Sequence, residues 1–114
     1  MALNDTSKNL MLDALRAVAV WVSAHDGDPG TTGINELTVG IYGRETIGWN
    51  AASGGAIDSS TQPVIDVASG DGVYHLGLWS AETVGTFYGS ADVTDEDFGA
   101  DGTYTVTDFD ISIT

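Results

Sequence analysis

No cysteine occurs in the 114 residues, so a disulfide framework and a thiolate metal site are both excluded. Positive charge is nearly as scarce. Lys8, Arg16 and Arg44 stand against 17 acidic residues, for a formal net charge of −14. Such a surface repels phosphate backbones and anionic lipid, so neither nucleic acid nor a membrane is an expected partner. Two prolines only are present, and no Pro-rich linker. No apolar run approaches the roughly 20 residues of a membrane span. The opening Met1-Ala2-Leu3-Asn4-Asp5 has neither a basic region nor an apolar signal core, so no export signal is expected.

What is present points to a small globular unit. Apolar residues make up 42% of the chain, too many for a disordered segment. Fifteen glycines, against an average usage of about 7%, imply many turns. The length suits one domain over residues 1–114. Asn4-Asp5-Thr6 offers capping side chains. Leu10, Met11, Ala14, Leu15 and Val18 then repeat at helical spacing, which predicts a helix over about 6–17. From residue 18 the period changes to two: Val18, Val20, Val22 and Ala24 alternate with Ala19, Trp21, Ser23 and His25. That strand ends in the turn signal Asp26-Gly27-Asp28-Pro29-Gly30, and 26–37 reads as a long loop.

Beyond it the chain reads as short strands between turns. Strands are expected near 37–41, 44–49, 56–59, 63–67, 73–79, 85–91, 103–107 and 110–114, with an acidic loop at 94–102. Seven or eight strands at this spacing predict a mainly β fold: an antiparallel β-sandwich, jelly-roll-like, over about 18–114, with one short N-terminal α-helix.

The sequence offers no convincing catalytic set. Histidines occur at 25 and 75, but no Gly-x-Ser-x-Gly elbow accompanies them. His25 heads a turn, where an imidazole bonds the backbone; His75 sits mid-strand, where packing is the ordinary role. No enzyme activity and no cofactor are expected. The one conceivable calcium position is Asp95, Glu96 and Asp97; calcium needs six to eight oxygens, and the EF-hand order is missing. Acids that open turns or guard strand edges are the commoner case. Contact with other proteins is the better-supported use of the surface. The apolar helix stripe, with Leu10, Met11 and Leu15, can dock on a neighbour. Among the aromatics Trp21, Tyr42 and Trp49 are candidate contact anchors, although most aromatics should fill the core.

Several ordered segments carry a resemblance. They are Met1 to Leu15, the run Ser23-Ala24-His25-Asp26-Gly27-Asp28-Pro29-Gly30-Thr31-Thr32-Gly33, then Pro63-Val64-Ile65-Asp66-Val67, Leu76 to Ala81, and Gly85-Thr86-Phe87-Tyr88-Gly89. Together they resemble a family of small virion proteins of tailed bacteriophages infecting actinobacteria, labelled tail-fibre or minor tail proteins. Leu37 to Trp49 departs from that pattern. The resemblance implies a structural virion component acting through subunit packing, expected as a homo-oligomer beside other virion proteins. It would be assembled in the host cytoplasm and placed on the tail or capsid surface. Capsid decoration is the alternative reading, and a carbohydrate-binding module for host attachment a further one. The resemblance implies no catalytic residue.

Overall fold

The first helix forms where its capping residues place it. In the computed structural model, which describes residues Met1–Thr114, α1 spans Asp5–Arg16. Asn4 Oδ1 accepts the Ser7 backbone N–H at 2.9 Å, satisfying one of the free donors of the first turn. Asp5 in the first turn and Arg16 in the last complement the helix dipole. Leu12 is buried and Leu15 half-buried against the core. Two polar side chains on α1 tether the following turn: Asn9 Oδ1 accepts the Gly55 N–H, and Asp13 Oδ1 accepts the Ala52 N–H.

Eight strands follow: β1 Trp21–His25, β2 Glu45–Thr46, β3 Ala56–Asp58, β4 Val64–Val67, β5 Gly72–Trp79, β6 Phe87–Asp97, β7 Gly102–Thr105 and β8 Asp110–Ser112. All pairings are antiparallel. A four-stranded sheet has the order β2-β1-β5-β6, and two ladders pair β3 with β8 and β4 with β7. The class is therefore the one expected from the sequence, mainly β with antiparallel sheets and one helix. The molecule is elongated, 47 × 24 × 23 Å.

Burial explains which strands lie at the centre. Val22 and Ala24 of β1 pair with Leu78 and Leu76 of β5 and join a core that also takes in Leu12, Ile47, Trp49, Ile57, Ile65, Val67, Val106 and Phe109. Trp49 and Phe109 meet edge to face at 5.7 Å. The opposite face of β1 carries Ser23 and His25, which are equally buried. A strand buried on both faces must be covered on its second side too. Here the cover is the 26–44 segment, held by hydrogen bonds from Leu37 N–H to Ala24 O and from Asp26 N–H to Asn35 O.

Three expectations need correction. Val18 and Val20 precede the strand instead of belonging to it, because the N–H groups of Val18 and Ala19 still bond the Leu15 carbonyl at the helix end. The 37–41 segment is a turn, with Gly40 at φ +57° and Tyr42 N–H bonded to Val39 O. The acidic 94–102 loop begins only after Asp97. β5 extends to Gly72, so Asp97 and Glu96 gain ladder partners in Gly72 and Val73 despite their weak strand propensity.

Candidate functional site

Two linked polar groups occupy the covered face of the four-stranded sheet. The first is a relay along β1 and β5. Ser23 Oγ lies 2.6 Å from His25 Nε2, Trp79 Nε1 donates to Ser23 Oγ at 2.8 Å, and His25 Nδ1 lies 2.8 Å from the Ile34 carbonyl. A carbonyl only accepts, so Nδ1 carries the imidazole proton and Nε2 accepts from the serine hydroxyl. Burial pushes the His25 pKa down, against the raising effect of the Ile34 bond, which keeps the ring neutral.

The second group is built on Arg44. Its Nε and Nη2 donate to the two oxygens of Glu36 at 2.8 and 2.9 Å, and its Nη1 donates to the carbonyls of Ala81 and Val84. The guanidinium stacks on the Trp79 ring. Tyr42 Oη donates to Glu36 at 2.6 Å and accepts the Ala24 N–H at 3.1 Å. Burial alone would raise the Glu36 pKa; the Arg44 and Tyr42 hydrogen bonds outweigh it and hold the carboxyl below its ordinary value. The Tyr42 pKa is raised, first by burial and then by its bond to Glu36. Arg44 makes four hydrogen bonds within this cluster and its charge is paired with Glu36, so it clamps the 26–44 and 80–86 loops to the sheet.

The serine–histidine pair has the composition of a nucleophile and base but not the access. Ser23 and His25 are both fully buried. Gly77 lies directly over them: a Cβ there would fall 2.5 Å from Ser23 Oγ and 2.7 Å from His25 Nε2. No substrate atom can reach a hydroxyl that a methyl group cannot clear. His25 has the backbone-bonding role expected of it. His75 stands apart, with Nε2 3.7 Å from Asp92 Oδ1. Asp95, Glu96 and Asp97 are successive residues of one strand, so their carboxylates alternate between faces and do not converge. Asp97 instead accepts the Tyr74 hydroxyl.

The candidate contact residues fall in different places. Leu10 and Met11 are 73% and 50% exposed on the outer side of α1. Leu15 is half-buried and floors a groove. Trp21 is half-buried opposite Trp79 in the ladder. Tyr42 is half-buried with its hydroxyl committed to the clamp. Trp49 is corrected to a core residue, its indole N–H bonded to the Ala19 carbonyl at 2.8 Å. The Glu36–Arg44 pair was not anticipated, although Arg44 is the lone basic residue after position 16 of a strongly acidic chain.

Two open grooves remain. One of about 360 Å³ lies beside the clamp between residues 36–44 and 82–84. The other, about 350 Å³, runs between β6 and β8 over Leu15, Leu78 and Phe109. The relay and clamp are thus internal, and what α1 leaves exposed is the apolar surface of Leu10 and Met11. A family model described as Podophage GP4 fiber I protein gp80 matches residues 2–114. The chain belongs to this fibre family. Membership of the gp80 fibre family makes it a phage fibre-type structural protein with a place in the virion among other virion proteins. No curated protein and no solved structure matches it. The one helix is not long and apolar enough to cross a membrane.

Proposed function

We propose that residues 1–114 form one unit of a phage tail fibre, that its task is subunit packing without a catalytic step, and that copies meet through the outward face of α1. The supporting observation is an apolar stripe on a neutral helix in an otherwise acidic protein. Leu3, Leu10, Met11, Ala14, Ala17 and Val18 are all exposed. At 3.6 residues per turn, Leu10 lies about 160° around the helix from the buried Leu12, so this stripe is separate from the face that packs on the core.

Electrostatics favours this surface for like-with-like contact. Asp5 and Asp13 are balanced by Lys8 and Arg16, so the first 17 residues are neutral and the rest of the chain carries the whole −14. Copies approaching by any other face meet strong like-charge repulsion, screened over about 8 Å at physiological salt. Burial of Leu10 and Met11 would each contribute roughly 1.5–3 kcal/mol to association, which side-chain ordering partly offsets.

Sedimentation equilibrium over a concentration series tests the proposal. The wild-type chain should form a defined oligomer, and the Leu10→Glu, Met11→Glu double variant should be a monomer with unchanged far-UV circular dichroism. A wild-type chain that stays monomeric at high concentration, or a double variant that still assembles, would overturn it.

A further inference from the structure

We propose that the groove between β6 and β8 receives an extended, lysine- or arginine-bearing segment of a partner virion protein, which adds as a strand. The proposal rests on the fibre reading only for the source of that segment.

Both walls of the groove are unpaired strand edges. β6 is the outer strand of its sheet, and β8 pairs only with β3. Along β8, the Ser59 N–H bonds the Phe109 carbonyl and the Ile113 N–H bonds the Gly55 carbonyl. Antiparallel pairs alternate in direction, so the main-chain groups of Asp110 and Ser112 point away from β3, and both residues line the groove. Free main-chain donors and acceptors of this kind are what strand addition uses. Leu15, Leu78, Ala91 and Phe109 supply apolar surface beneath.

The edge of β6 is protected everywhere except here. From Asp92 onward it carries Asp92, Asp95, Glu96 and Asp97, a common defence against edge pairing. Over Tyr88–Ala91, the part that faces the groove, it carries no charge. Protection is thus missing along one stretch, beside an apolar floor.

Charge selects the occupant. Asp110 lines the groove with Asp58 and Asp108 close by, so the rim is acidic. A second copy of this chain is a poor donor: its three basic residues are Lys8 and Arg16 on α1 and Arg44, which is spent on Glu36. A basic segment of another protein satisfies the rim, the edges and the floor together.

The test is titration of the full isotope-labelled chain with an acetylated, amidated (Lys-Val)4 peptide, followed by amide NMR shifts. Saturable changes should concentrate at Tyr88–Ala91 and Asp110–Ser112, and a (Glu-Val)4 peptide should give none. Gly89→Lys should weaken binding at least tenfold. A Cβ at Gly89 meets no atom within 4 Å, so the fold has room for it. The exposed Ser112→Lys is a second block from the other wall, should Gly89→Lys lose its native amide spectrum. Leu10→Glu should leave peptide binding unchanged, which separates this site from the helix contact. Shifts spread over the acidic surface, binding indifferent to both lysine variants, or no binding would each overturn the proposal.

Discussion

The guanidinium carbon of Arg44 lies 3.7 Å from the centroid of the Trp79 ring. That contact joins two loops distant in sequence, because the same guanidinium holds Glu36 on one side and the carbonyls of Ala81 and Val84 on the other. Arg44 is almost wholly buried. Arg44→Ala should therefore cost roughly 3 kcal/mol, since it leaves the Glu36 carboxylate without its charged partner and with only the Tyr42 hydroxyl. Arg44→Lys should recover little, because an ammonium can neither fork onto both carboxylate oxygens nor stack as a plane. Urea denaturation followed by tryptophan fluorescence measures both, and a loss below about 1 kcal/mol for the alanine variant would show the clamp to be ornamental.

Gly77 permits the relay beneath it. Gly77→Ala would press a methyl group onto Ser23 Oγ and His25 Nε2 and should destabilise the fold by about 2 kcal/mol through overpacking. Both contact atoms belong to buried side chains held in place by hydrogen bonds to each other, Trp79 and Ile34, so relaxation is limited. A thermal midpoint within a degree of wild type would contradict the packing described here.

Val84 is a β-branched residue at φ +57°, in the left-handed region where such side chains are strained. Its carbonyl still serves Arg44, and its side chain is 82% exposed. Val84→Gly or Val84→Asn keeps the carbonyl and removes the strain, so either should raise stability by about 1 kcal/mol. Calorimetry should show a higher midpoint. A fall would mean that the Val84 side chain makes a stabilising contact.

Stability should respond to pH through two groups of opposite sign. Asp110 is raised to about 6 by hydrogen bonds with Asp58 and Asp108. The folded state therefore binds more protons there than the unfolded chain, and this contribution is lost as pH rises through 6. His25 is lowered by burial. The folded state binds fewer protons there, so its contribution is present above the ordinary histidine value of 6.5 and lost as pH falls. The two oppose each other in acid. Asp110→Asn should raise stability at pH 7 and expose a monotonic loss from pH 7 to 5. A curve parallel to wild type would refute the carboxylate cluster.

Local signals in the sequence located some of this and not the rest. The helix is legible because Asn4 caps it and the apolar spacing repeats; the observed Asp5–Arg16 differs by one residue at each end. β5 is legible because Val73–Trp79 is long and rich in strand formers. The cover over Ser23 and His25 is not legible. Glu36, Tyr42 and Arg44 sit in a segment without periodicity, and their partners Ala24, Ala81 and Val84 are chosen by topology. Asp95–Asp97 reads as a loop because acids disfavour strands, yet the length of β5 imposes pairing on it. Of the contact residues, Leu10 and Met11 are exposed as a docking stripe requires, whereas nothing local distinguishes Trp49 as core from Trp21 as half-exposed.

Cryo-electron microscopy of purified virions tests most directly whether this chain is a fibre subunit packed through its helix. The expected map places 47 × 24 × 23 Å subunits in the fibre, with the Asp5–Arg16 helices of neighbouring copies in contact along Leu10 and Met11. Density for the chain on the capsid shell, or fibre copies whose helices face solvent, would contradict it.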